Sequence, residues 1–150
     1  MNYRIRKATI HDTKKLNELL TLLIRDEKKY DNNINEEFKV KSFYEYIINK
    51  ENNYLLVAES SNTIIGYLYG YIIDDENTVI NKVAKIDALY IEEEYRHHGI
   101  GSSLIKEFKK IVKDKVKYLE VNTFNDNKEA ISTYKNNGFK EISTIMKLEL

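Results

Sequence analysis

Arg96-His97-His98-Gly99-Ile100-Gly101-Ser102 is the stretch on which the fold turns. It follows an apolar run, Ile86-Asp87-Ala88-Leu89-Tyr90-Ile91, and precedes a helical pattern of Leu104, Ile105, Phe108, Ile111 and Val112. A strand, a glycine turn and a helix N-terminus in that order turn backbone N–H groups outward, and the helix dipole favours negative charge there. Glycine at 99 and 101 removes the Cβ that would hold a ligand off the backbone. The stretch therefore predicts a site for a phosphorylated ligand. Two common phosphate motifs do not fit. A dinucleotide fingerprint needs a third small residue where Leu104 stands, and a P-loop needs Gly-Lys-Ser/Thr where Gly101 is followed by Ser102-Ser103. What remains is Arg-x-x-Gly-x-Gly, which taken alone also suits a plain strand-to-helix connection.

Working outward, Tyr3–Ala8 reads as a first strand, and Thr9 with Asp12 resembles a capping box with Asp in place of Glu. Leu16, Leu19, Leu20 and Leu23 keep helical spacing, so a helix is expected to about Lys29. Residues 30–35 read as a loop, and Phe38, Phe43, Tyr46 and Ile47 predict a second helix ending near Asn49. Residues 53–59 and 63–73 are apolar runs joined by Ser60-Ser61-Asn62, a hairpin pattern, and Asp74–Asn81 is a polar connection. Lys82–Ile91 is the next strand, Ile100–Lys113 a helix and Val116–Asn122 a strand. Asn125 or Asp126 is expected to cap a helix that stops at Gly138, and Phe139–Leu150 alternates as a closing strand. The order β-α-α-β-β-β-α-β-α-β predicts an α/β chain with a mixed sheet and helices on both faces.

The 150 residues suit a single domain, 1–150, and 42% hydrophobic residues suffice for a core. Lys and Arg number 24, as do Asp and Glu, so overall charge gives no argument for nucleic acid or membrane. The chain has no Cys, which excludes disulfides and cysteine nucleophiles. No apolar run is long enough to span a bilayer, and a cytoplasmic location is the default expectation. Adjacent His97 and His98 diverge in direction and lack a third ligand at suitable spacing, so no metal is expected.

A second constellation runs from Asn127 to Phe139. On a helix, Asn127, Ala130, Ile131 and Tyr134 share one face, mixing an amide, a small residue and a phenol. Together the two segments resemble the GNAT family of N-acetyltransferases. Arg96–Gly101 matches that family's Gln/Arg-x-x-Gly-x-Gly/Ala loop for the acetyl-CoA pyrophosphate. Asn127–Phe139 matches its Asn-x-x-Ala-x-x-x-Tyr-x-x-x-Gly-Phe segment without a gap, and Arg6-Lys7-Ala8-Thr9 with Asp12 matches its common opening. The resemblance spans the chain. It implies a central mixed, mostly antiparallel sheet flanked by helices on both faces, with any final pair of strands short. It also implies acetyl transfer from acetyl-CoA to an amine.

The resemblance assigns pyrophosphate binding to Arg96, His97, His98, Gly99, Ile100, Gly101, Ser102 and Ser103. The pantetheine arm falls to Leu89, Tyr90, Ile91, Asn127 and Ala130. An amine near its reference pKa of about 10 must lose a proton before attack. The family's base is often a carboxylate on the strand before the loop, for which Asp87, Glu92 and Glu120 are candidates. Asp87 is favoured, because an acid within an apolar strand is costly without a partner or a task. Strict alternation places Asp87, Leu89 and Ile91 on one face and Ala88 and Tyr90 on the other. A backbone N–H near Leu89 or Tyr90 is the candidate to stabilise the oxyanion. Tyr134 matches the family's general acid for the leaving thiolate. Without Cys there is no acetyl-cysteine, so direct transfer in a ternary complex is expected.

In the family the acceptor is held by the first two helices and the connection after the third strand. Here those segments carry Asp26, Glu27, Asp31, Glu36 and Glu37, then Asp74, Asp75 and Glu76, among interleaved lysines. Such acids suit a small cationic amine, a polyamine or an aminosugar, and equally suit a solvated surface. Tyr30, Tyr44, Tyr67, Tyr69 and Tyr71 are candidates to line a pocket, and Tyr67, Tyr69 and Tyr71, which alternate, equally suit one face of a strand. The alternatives are a protein or peptide acetyltransferase and a non-catalytic acyl-CoA-binding module. A homodimer is a family-level expectation.

Overall fold

The computed structural model describes residues 1–74, 76, 77, 79 and 82–150. Five strands form one sheet in the order β1 (Arg4–Lys7), β2 (Asn53–Ser60), β3 (Thr63–Asp74), β4 (Lys82–Ile91) and β5 (Tyr118–Val121). All neighbours are antiparallel except β4 and β5, which run parallel. The β2–β3 turn is closed by Ser61 and Asn62 at φ +49° and +62°, the left-handed pair that matches the twist of a hairpin. The central strand β3 is buried on both faces, as its near-continuous apolar sequence requires when helices cover both sides.

Helices α1 (Thr13–Asp26) and α2 (Phe43–Ile47) cover one face, where Leu16, Leu19, Tyr44, Val57, Tyr67, Tyr69, Ala88 and Tyr90 pack together. Helices α3 (Ile100–Val112) and α4 (Lys128–Asn136) lie on the other, over Leu56, Ile65, Leu68, Ala84 and Ile86. Phe108 of α3 rests on bare backbone at Gly70, where a Cβ would stand 2.3 Å from its ring. The tyrosine stripe is core: Tyr67 is fully buried and its hydroxyl lies 2.8 Å from that of Tyr44. The expected capping box forms, with Thr9 N–H donating to Asp12 at 2.7 Å. Arg6 grips the same carboxylate at 2.7 and 3.0 Å and holds it below the usual range.

Four expectations are corrected. The second helix is only Phe43–Ile47 and leaves Phe38 in the preceding non-helical segment. The cap of α4 is Asn127, not Asn125 or Asp126; its Oδ1 accepts from Ala130 N–H at 3.1 Å. Phe139–Leu150 forms no strand: it makes no ladder with β5, and its residues from Lys140 on are exposed. Strict alternation also fails in β4. Tyr69 pairs with Ala88 but Gly70 pairs with Ile86, so Asp87 is the extra residue of a β-bulge. Asp87 thereby faces the α1 side together with Ala88 and Tyr90, while Leu89 and Ile91 pack toward α3. The connection 74–81 was expected to be polar; Asp75, Thr78, Ile80 and Asn81 lie outside the described residues.

Candidate active site

The cleft begins where two parallel strands part. Strand β5 pairs with β4 only over Val83–Ile86, so Asp87–Ile91 has no strand beside it on that edge. Leu89, Tyr90 and Ile91 line the resulting cleft of about 420 Å³. The chain then crosses a short turn (Glu93–Tyr95) into the glycine loop. His97 at φ +66° and Gly99 at φ +76° bend this loop, and nothing lies within 4 Å of where a Cβ on Gly99 would point. Among the described residues, the N–H groups of His98, Gly99, Ile100, Gly101 and Ser102 find no acceptor. Unbound donors at the start of a 13-residue helix are what a pyrophosphate requires.

Arg96 does not project into open space. Its Nε donates to Ile91 O at 2.9 Å, its Nη2 lies 3.2 Å from Asp26 and its guanidinium stacks over Tyr90. It thus ties the loop to the end of β4 and to α1. Across the cleft stands α4, contributing Asn127, Ala130, Thr133 and Tyr134. The oxygen of Asn127 is occupied by its cap, which leaves its amide NH₂ as the group free to meet a ligand carbonyl. The Tyr134 ring packs edge-on to Phe139, and its hydroxyl has no partner among the described residues. Burial pushes its phenol up to about 12, so it carries its proton throughout the neutral range.

A second cavity of about 380 Å³ lies on the α1 side of β4. Its walls are apolar, Leu20, Leu23, Ile24, Phe38, Val40 and Phe43, and its acids are Asp87 and Glu27. Leu23 and Glu27 line both cavities, so the two lie side by side there. The Asp87 side chain is solvent-accessible, but surrounding walls displace enough water to raise its carboxyl above the ordinary range. Glu27 is raised as well, first by burial and then by the charge of Asp87. Two like charges facing one apolar space favour a cation between them.

Asp87, Leu89, Tyr90, Ile91, Arg96, His97, Gly99, Ile100, Gly101, Ser102, Asn127, Ala130 and Tyr134 each line one of these two cavities. Four candidates do not. His98 lines neither cavity. The Ser103 N–H is spent on Gly99 O at 3.0 Å and its hydroxyl on Tyr3 at 2.7 Å, because it is the first residue far enough into α3 for an intrahelical bond. Glu92 pairs with Lys15, and Glu120 lies 3.8 Å from Lys85, both away from the cavities. Of the acids that the sequence places on the acceptor-side segments of the first two helices, Glu27 is the one that lines the apolar cavity beside Asp87. Its signal was spacing: Leu16, Leu20, Leu23 and Glu27 continue one helical stripe. Among the described residues no group of three or more His, Asp or Glu is placed to hold a metal, and no helix is long and apolar enough to cross a membrane.

The model of the acetyltransferase (GNAT) family matches residues 16–139, and the chain belongs to that family. It is an acetyl-transfer enzyme. It is 28% identical to a spermidine N(1)-acetyltransferase of Thermoplasma acidophilum, over 93% of this chain and 89% of that one. It is 27% identical to an N-alpha-acetyltransferase of Sulfurisphaera tokodaii, over 95% and 83%. Its fold matches a mutant BH1408 protein of Bacillus halodurans with a TM-score of 0.88 at 20% identity, over 98% of this chain and 99% of that chain.

Proposed function

We propose that the chain transfers the acetyl group of acetyl-CoA to the primary amine of a small cationic acceptor, a polyamine or aminosugar-like amine, by direct transfer in a ternary complex. One observation carries this reading. The cleft with unbound loop donors and Tyr134 shares two wall residues, Leu23 and Glu27, with the acid-bearing apolar cavity. Donor and acceptor thus enter from opposite sides of β4. The loop N–H groups and the Ser102 hydroxyl hold the pyrophosphate, the open edge at Leu89–Ile91 and the Asn127 amide hold the pantetheine arm, and Ala130 leaves it room. This edge, where a backbone N–H near Leu89 or Tyr90 is free of a β5 partner, is also where the developing oxyanion is stabilised.

Asp87 takes the ammonium proton, and its raised affinity for protons suits that task. The amine nitrogen then attacks the acetyl carbon and a C–N bond replaces the C–S bond; Tyr134 gives its proton to the sulfur, and the second proton that the nitrogen sheds as the amide forms passes through solvent to the Tyr134 phenolate, leaving one proton on Asp87 for release. A phenol at about 12 gives up that proton because the buried sulfur anion is destabilised by the same desolvation. Spermidine as substrate of one relative supports the cationic acceptor, and the N-alpha-acetyltransferase favours a peptide amine as the second reading.

Thiol release from acetyl-CoA across polyamines, aminoglycosides and peptides separates them. Release with polyamines or aminoglycosides is expected; turnover confined to peptides rejects the proposed acceptor. The pH profile tests the base. Activity requires the Asp87 carboxylate, so kcat/KM falls as pH drops through its raised pKa, sooner than for an ordinary aspartate of about 3.9. Asp87→Asn removes that limb together with most of the rate, and an unchanged limb in the variant assigns the base elsewhere.

A further inference from the structure

Helix α4 forms one wall of the cleft, yet it buries no residue fully, so polar bonds contribute to its seating on α3. Among the described residues, two hydrogen bonds tie α3 to the end of α4, and both finish on Asn137. Its Nδ2 donates to Ser102 Oγ at 2.9 Å, and its carbonyl accepts from Lys109 Nζ at 3.1 Å. The Lys109 bond is exposed, where water competes for both partners; the Ser102 bond is partly buried. Residue 137 is one of the open positions in the Asn127–Phe139 segment, so the family resemblance assigns it no role.

The direction of the Ser102 bond follows from the other contact of the same amide. Asn137 Nδ2 also lies 2.8 Å from Thr133 O, one turn back in α4. A carbonyl oxygen only accepts, so the atom between Thr133 and Ser102 is the NH₂ and not the amide oxygen. Both amide protons are thereby committed, one to Thr133 and one to Ser102. The Ser102 hydroxyl accepts in that bond and keeps its own proton, for which no acceptor stands among the described residues. Ser102 lines the cleft in the first turn of α3, where the N–H groups from His98 to Ser102 are also unbound. Its hydroxyl is thus one more donor in that row. Ser103 differs, because its hydroxyl is already bonded to that of Tyr3.

We propose that Asn137 is a positioning residue for the coenzyme: by donating to Ser102 Oγ, it holds that hydroxyl as a proton donor to the pyrophosphate of acetyl-CoA. Asn137 does not itself line the cleft, so it acts through Ser102. A hydroxyl is ambivalent, able to give or to receive a hydrogen bond. With its lone pair engaged from behind by an amide that can only donate there, it presents its O–H to the anion. The inference rests on the reading of this cleft as the acetyl-CoA site.

Calorimetric titration with coenzyme A tests it on the unaltered chain, Ser102→Ala, Asn137→Ala and the double variant. Ser102→Ala is expected to weaken binding about tenfold, as for loss of one hydrogen bond to a charged group. Asn137→Ala is expected to weaken it about threefold, because the hydroxyl remains but is no longer oriented. The double variant is expected to bind like Ser102→Ala alone, since no hydroxyl is left to orient. Asn137→Asp keeps the shape of the side chain but has no proton to give, and is expected to bind at least as weakly as Asn137→Ala. A loss on Asn137→Ala that persists in full in the Ser102→Ala background overturns the proposal, because it places the effect in the seating of α4. So does an Asn137→Ala or Asn137→Asp variant that binds like the unaltered chain. If the unaltered chain takes up no coenzyme A, the reading of the cleft falls and this inference with it; if it binds and the two losses simply add, only this inference falls.

Discussion

Helices α3 and α4 bound the same cleft from opposite sides, yet they are held in different ways. Helix α3 buries Ile100, Leu104, Ile105, Phe108 and Val112, and Phe108 presses on the glycine backbone of β3. Helix α4 buries no residue fully; Ala130, Ile131 and Tyr134 are covered for the most part but each keeps some exposure. The wall that presents the loop donors is thus part of the core, while the wall that presents the phenol is a lightly seated lid on one side of it. Rigid support is spent where a doubly charged group must be met by fixed N–H groups.

The sharpest way to break this contrast is through stability. Phe108→Ala removes a fully buried ring and is expected to cost about 4 kcal/mol. Ile131→Ala, on a position that keeps some exposure, is expected to cost about 1 kcal/mol. Denaturant titration of both at low protein concentration reads the difference, and equal losses would show that α4 is as firmly anchored as α3. Tyr134→Phe sharpens the contrast chemically. It removes one hydroxyl with no protein partner, so the melting temperature is expected to stay put while kcat falls about 100-fold. Unchanged turnover would reject the phenol as proton donor.

Most of the architecture was legible because it rests on local signals. The left-handed Ser61-Asn62 turn, the Leu16–Leu23 stripe and the glycine after Ile91 each fix a boundary through backbone or periodicity alone. The residues misread depend on what lies across the sheet. The facing of Asp87 follows from a one-residue bulge against Tyr69 and Gly70, which no pattern within β4 reveals. The Ser103 hydroxyl is claimed by Tyr3, a hundred residues earlier. Glu27 shares a cavity with Asp87 only because α1 packs across β4, which brings the end of that helix to the same apolar space. The closing strand failed for a related reason: alternation predicts a strand's faces, whereas forming it needs an edge within reach.

The smallest effects come from the two loop glycines, and they are expected to differ in sign. Gly99 sits at φ +76° with open space where a side chain would point, so Gly99→Ala meets no atom and suffers only the left-handed backbone. That costs about 1 kcal/mol of stability. Gly101 lies within the first turn of α3, where alanine is the better helix former by up to about 1 kcal/mol. A Cβ there would stand 3.9 Å from Leu89 on one side and Thr133 on the other, an unstrained fit. Gly101→Ala is therefore expected to leave the fold level or slightly firmer. The same methyl, however, occupies the gap between β4 and α4 through which the cleft continues, so acetyl-CoA affinity is expected to fall several-fold. Calorimetry of both variants, with and without acetyl-CoA, checks the opposition. If Gly101→Ala binds as tightly as the unaltered chain, the coenzyme does not pass between the two helices.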